Sequence, residues 1–99
     1  MQAGRPNYVI IYAEGCFNPK RQARRTVKLY EKYKDRVGFV IIDLDLQRSE
    51  AQQSLVNRYF QGSIPHVVVL DSSGHTIYNA AGEVDADKVS ALLDRALQP

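Results

Sequence analysis

Cysteine is nearly missing from this sequence, and tryptophan is missing altogether. The single Cys16 has no partner for an internal disulfide, so cysteine usage leaves the redox compartment open. One cysteine and two histidines are too few for a structural zinc site, which usually takes four such ligands, and no metal or other cofactor is expected. No apolar run approaches the roughly 20 residues of a membrane-spanning helix, so no span is expected. The opening MQAGRPNYVII lacks the long apolar region of a secretory signal. As it stands the chain is expected in the cytoplasm, and in the periplasm or a lumen if a targeting or anchor segment has been removed. Glycine and proline number only six and four, which argues against disorder and low-complexity structure.

What remains is the composition of one globular domain, 1–99, with a core expected over about 7–97. Net charge is +2, but residues 20–36 hold eight basic side chains against two acidic ones. That segment is therefore +6 and the rest of the chain −4. Charge on one face steers encounters with acidic protein or membrane surfaces. No nucleic-acid reading motif accompanies it, so nucleic acid is not an expected partner. A monomer is expected.

Hydropathy patterns divide the chain into alternating elements. YVIIYA (8–13) is apolar, β-branched and too short for a helix, so it reads as a buried strand. Residues 17–35 read as an amphipathic helix with Ala23, Val27, Tyr30 and Tyr33 on its inner face. RVGFVIIDLD (36–45) is a second strand. Ser49 and Gln52 form a capping box that opens a helix with Leu55, Val56, Tyr59 and Phe60 inside, stopped by Gly62. IPHVVVLD (64–71) and HTIYNAAG (75–82) form a hairpin across the turn DSSG. Asp85 is expected to cap the last helix, with Val84 and Val89 as a hydrophobic staple and Leu92, Leu93, Ala96 and Leu97 in its inner stripe. The order β-α-β-α-β-β-α implies an α/β fold. The first two strands should be parallel and the last two antiparallel, in a mixed four-stranded sheet with helices on both faces.

Several segments together resemble the thioredoxin-like superfamily. VIIYAEGCFNPK is similar to that family's first active-site strand and W-C-x-x-C-K turn, with Cys16 at the first cysteine. FVIIDLD resembles its second strand, and GSIPHVVVLDSSG its G-I-P-T strand and hairpin, with Pro65 at the cis-proline. The resemblance runs over residues 8–97. YKDRVGFVIIDLD and IPHVVVLD are most similar to membrane-anchored thioredoxin-like domains of bacteria and plastids. The departures fall on the chemistry. Pro19 stands at the second cysteine, Gly15 at the tryptophan, Ile10 at the buried aspartate and Arg24 at the helix-kinking proline. The N-terminal strand and helix of full-length thioredoxins have no counterpart in the few residues before the first strand.

A dithiol oxidoreductase needs a second thiol to resolve its mixed disulfide, and Pro19 has none. The self-contained dithiol reaction is therefore excluded. Half of the chemistry remains open to Cys16, which stands in sequence just before a basic helix. Free N–H groups and the macrodipole at such a helix start favour a thiolate, and Lys20, Arg21 and Arg24 add positive charge. The resemblance implies that Ile64 and Pro65 present backbone to an extended substrate. Tyr12 and Phe17 are candidate substrate contacts. His66 is a candidate for tuning the thiol, or a strand histidine that points away from it. Two readings follow. In one, Cys16 exchanges disulfides with protein or peptide thiols, or with glutathione, as a monothiol oxidoreductase. In the other, the fold is a redox-inactive protein- or peptide-binding module.

Overall fold

The computed structural model describes residues 1–13 and 19–98, with backbone alone at 19 and 20. Seven elements follow in order: β1 (Asn7–Tyr12), α1 (Pro19–Tyr33), β2 (Gly38–Asp43), α2 (Glu50–Tyr59), β3 (His66–Leu70), β4 (Thr76–Ala81) and α3 (Ala86–Ala96). The expected β-α-β-α-β-β-α order is the observed one. The strands lie in the order β2-β1-β3-β4. β1 runs parallel to β2 and antiparallel to β3, and β3 pairs with β4 as the hairpin.

Alternation along the central strands divides the core in two. Tyr8 and Ile10 of β1 and Val67 and Val69 of β3 face α1 and α3, where they meet Leu29, Tyr33, Val89 and Leu93. Val9, Ile11, Val68 and Leu70 face α2 and meet Leu55, Val56 and Tyr59. β1 and β3 are buried on both faces, which is why their sequences are continuous apolar runs.

Local signals hold at the start of α2. Gln52 N–H donates to Ser49 Oγ at 3.2 Å, and Ser49 N–H donates to Gln52 Oε1 at 3.1 Å, completing the capping box. The end differs from expectation. α2 stops at Tyr59, where Phe60 turns extended, and Gly62 with its positive φ lies beyond that stop. β1 keeps the length of its hydropathy run but starts one residue earlier, and the other three strands are one to two residues tighter at each end. The hairpin turn closes through Gly74 N–H to the Asp71 carbonyl at 3.0 Å, with Gly74 at φ 88°.

Two helix expectations need correction. The buried face of α1 is Gln22, Thr26, Leu29 and Tyr33, while Ala23, Val27 and Tyr30 are exposed. The helix is rotated by about one residue because its polar positions find buried partners. Asp85 does occupy the N-cap of α3 with extended backbone, but its side chain makes no capping bond. Its carboxylate faces Arg25 Nη2 at 3.3 Å instead. The staple pair Val84 and Val89 is buried as expected.

Candidate functional site

The structure converges on the end of the sheet where β1 stops, α1 starts and β3 begins. β1 ends at Tyr12 and α1 begins at Pro19, so Cys16 lies in sequence between them. Cys16 and Phe17 are outside the described residues. Pro19 is the first residue of α1, a position where the missing N–H costs no helical hydrogen bond.

Across from this junction, Ile64 and Pro65 lead into β3, and their peptide bond is cis. The Pro65 carbonyl is taken by Gly82 N–H at 2.7 Å. Among the described residues the N–H and C=O of half-buried Ile64 have no backbone partner. Tyr12 and Pro65 share the wall of a cavity of about 180 Å³ with Ile10, Ala23, Val27 and Ile41. Tyr12 is half-buried at the end of β1.

The three cations expected near the thiol are not alike. Arg24 is exposed, and no ion pair holds it among the described residues. The Lys20 side chain lies outside the described residues. Arg21 is already engaged: its Nε donates to Glu83 Oε1 at 2.6 Å and its Nη2 to Oε2 at 3.0 Å. This two-pronged hydrogen bond and the opposite charge hold the Glu83 carboxyl below its usual range and the Arg21 guanidinium above its own. Arg25 also reaches Glu83, at 3.3 Å. Of the three cations, Arg21 is thus shared with Glu83 rather than standing alone.

His66 is wholly buried. It follows the alternation of Val68 and Leu70 onto the α2 side of the sheet, away from α1. Its Nε2 meets Asn79 Oδ1 at 2.5 Å, and its buried Nδ1 has no partner among the described residues. It does not belong to the α1 side of the junction. His75 is exposed beside the hairpin turn, 3.6 Å from Asp71. Backbone N–H groups of His75 and Ser73 hold the Asp71 carboxyl below its usual range.

Sequence reading missed the polar girder that aligns α1. Gln22 Nε2 donates to the Tyr8 hydroxyl at 3.4 Å. The Tyr8 hydroxyl meets Thr26 Oγ1 at 2.9 Å, and Thr26 donates on to the Gln22 carbonyl at 2.9 Å. Gln22 Oε1 accepts from Val84 N–H and from Arg25, both at 3.2 Å. Burial raises the Tyr8 phenol above its ordinary value, against the lowering effect of these bonds. One helix face is thereby tied to β1 and to the segment before α3. The available signal was the spacing of Gln22, Thr26, Leu29 and Tyr33, but two of the four are polar and an apolar template passes over them.

Among the described residues no cluster of three His, Cys, Asp or Glu side chains is arranged to hold a metal. No helix there is long and apolar enough to cross a membrane.

No family model matches the chain. Over 81 residues, 82% of the chain, it is 31% identical to the thioredoxin-like protein HCF164, chloroplastic, of Oryza sativa subsp. japonica, of which the match spans 30%. Over 80 residues, 81% of the chain, it is 32% identical to the thiol:disulfide interchange protein TxlA homolog of Synechocystis, of which the match spans 43%. The chain therefore spans less than half the length of these curated relatives. Among solved structures it superposes on the exposed lipoprotein thioredoxin Etrx1 of Streptococcus pneumoniae with a TM-score of 0.74 and 16% identity, covering 93% of this chain and 85% of that one. Strand order, helix placement and sequence similarity agree: the chain is a thioredoxin-fold domain of the thioredoxin-like superfamily, with an incomplete two-cysteine motif at Cys16-Phe17-Asn18-Pro19.

Proposed function

We propose that the chain, as a single domain over 1–99, carries out monothiol disulfide exchange through Cys16. The observation that carries this reading is one cysteine at the first position of the motif, between β1 and a basic α1, in a fold shared with thiol–disulfide proteins. The Cys16 thiolate attacks one sulfur of a protein or peptide disulfide. A bond forms from Cys16 Sγ, the original S–S bond breaks, and the second sulfur leaves as a thiolate that takes a proton from solvent. An external thiolate, from glutathione or a protein, then attacks the substrate-side sulfur of the mixed disulfide. Cys16 leaves as a thiolate, and the substrate sulfur is now joined to the external thiol.

The open backbone of Ile64 holds the substrate in extended form, with Pro65 and Tyr12 beside it and Phe17 as a further contact. Lys20 and Arg24 are the cations assigned to thiolate stabilisation, with Arg21 secondary because Glu83 holds it.

The test is capture of mixed disulfides on purified protein, with Cys16→Ser as control. Disulfide-linked partners lost in Cys16→Ser support exchange. Partners retained equally by Cys16→Ser contradict it and leave the fold as a binding module whose chemistry has lapsed.

A further inference from the structure

β4 ends at Ala81 and α3 begins at Ala86, so Gly82, Glu83, Val84 and Asp85 form the link between them. Each of these residues is tied to another part of the fold. Gly82 N–H donates to the Pro65 carbonyl at 2.7 Å. Glu83 accepts from Arg21 with both carboxylate oxygens, at 2.6 and 3.0 Å, and from Arg25 at 3.3 Å. Val84 N–H donates to Gln22 Oε1 at 3.2 Å, and Asp85 accepts from Arg25 Nη2 at 3.3 Å. The first residue of the link thus holds the proline that leads into β3. The rest hold the first two turns of α1.

The sheet does not make this connection by itself. Pairing of β1 with β3 ends at Ile11 and His66, one residue short of Tyr12 and Pro65. Beyond that pair the Pro65 carbonyl is held from the other side, by Gly82. α1 is fastened to α3 independently at its far end, where the Tyr33 hydroxyl donates to Asp94 Oδ1 and meets Ser90 Oγ, both at 2.6 Å. At the near end Glu83 carries the strongest tie. Its bonds to Arg21 are charge-assisted and two-pronged, and the planar guanidinium fixes their direction. The Glu83 side chain is 17% exposed, so most of the water that would screen these bonds is excluded.

We propose that Glu83 is a positioning residue for disulfide exchange at Cys16. It clamps the first two turns of α1 to the link that holds Pro65, and so fixes the start of α1 relative to the Ile64–Pro65 backbone. Cys16 lies in sequence just ahead of α1, and the substrate backbone is assigned to Ile64. The clamp therefore sets how closely thiol and extended substrate can meet, and small displacements of such pairs are costly in rate. This role rests on the monothiol reading above. Glu83 touches neither sulfur; it acts through Arg21, Arg25 and the Gly82–Pro65 bond.

The experiment compares two disulfides with the same leaving group. One is dipyridyl disulfide. The other joins pyridinethiol to the cysteine of a blocked, uncharged, extended peptide. In both, the Cys16 thiolate bonds to one sulfur and the other leaves as pyridinethione, read by absorbance. The ratio of peptide rate to dipyridyl rate cancels any change in the thiolate fraction. Glu83→Ala is expected to lower this ratio about tenfold. Arg21→Ala should lower it too, but add little once Glu83→Ala is in place. Tyr33→Phe, which loosens α1 at its far end, should leave the ratio at the parental value. In Glu83→Ala the Gly82 amide should exchange with solvent deuterium about tenfold faster, beyond any change in the β1 amides that report global opening. The proposal is overturned by an unchanged ratio in Glu83→Ala, by an equal fall in Tyr33→Phe, or by Gly82 exchange that moves only with the β1 amides. If the parent releases pyridinethione from neither disulfide, the monothiol reading fails instead, and Gly82 exchange alone decides whether Glu83 holds Pro65 to α1.

Discussion

Arg21, in the first turn of α1, grips both carboxylate oxygens of Glu83, at 2.6 and 3.0 Å, across 62 positions of sequence. The pair fastens the start of the basic helix to the segment that leads into α3.

Glu83 therefore has a legible pH signature. Its carboxyl is held below the usual range, chiefly by the Arg21 side chain. The native state then binds fewer protons than the unfolded chain at mildly acid pH. This contribution to stability is complete above the unfolded value of about 4.3 and is lost as pH falls through the lowered native value. Glu83→Gln should flatten the acid limb of stability against pH below about 4.3. The limb should not vanish, because Asp71 is also held low, by the His75 and Ser73 amides. Urea midpoints across the acid range measure this; an unchanged acid limb in Glu83→Gln would refute the assignment.

The Gln22 girder should matter more to stability than an exposed helix residue does. Gln22→Leu keeps the volume but leaves Val84 N–H without its acceptor in a buried place. The expected loss is about 1–3 kcal/mol. Tyr8→Phe removes the acceptor for Gln22 and the donor for Thr26, and should cost about 1–2 kcal/mol. Above pH of about 10 the wild type should lose stability that Tyr8→Phe does not lose, because burial raises the native phenol value above the unfolded one. Chemical denaturation of both variants at neutral and alkaline pH provides the check.

Gly38 is required by space. A side chain there would strike Asn7 Oδ1, which accepts Gln2 N–H at 3.0 Å, while Asn7 Nδ2 donates to the Gln2 and Arg5 carbonyls. Gly38→Ala should destabilise by about 1–3 kcal/mol. In Asn7→Ala, which vacates the space, the added cost of Gly38→Ala should fall below that in the parent. A double-mutant cycle measures the difference.

Pro19→Cys supplies the resolving thiol that the motif lacks. The substitution sits at the first residue of α1, where it disturbs no helical bond. Insulin reduction by dithiothreitol, followed by turbidity, should rise above the near-zero wild-type level and return to it in Pro19→Cys with Cys16→Ser. No gain would mean that Gly15 and Ile10, at the tryptophan and aspartate positions of the resembled motif, leave the site unable to complete the cycle.

The fold was readable because its signals are local or strongly periodic. The Ser49–Gln52 capping box needs only four residues, and the apolar runs of β1 and β3 announce strands buried on both faces. The face of α1 was not readable, because Gln22 and Thr26 are buried by partners at Tyr8 and Val84 that no window of sequence contains. Asp85 shows the same limit: its position as N-cap is local, but the bond to Arg25 that occupies its side chain spans 60 positions. Of the candidate site, Tyr12, Ile64 and Pro65 could be located from the resemblance, whereas the capture of Arg21 by Glu83 could not.

The rate of Cys16 alkylation by iodoacetamide as a function of pH tests the central claim most directly. A thiolate favoured by the start of α1 and by Lys20 and Arg24 should inflect well below the free-thiol value of about 8.5, and lower still in Glu83→Gln, where Arg21 is released. An inflection at about 8.5 in both proteins would contradict it.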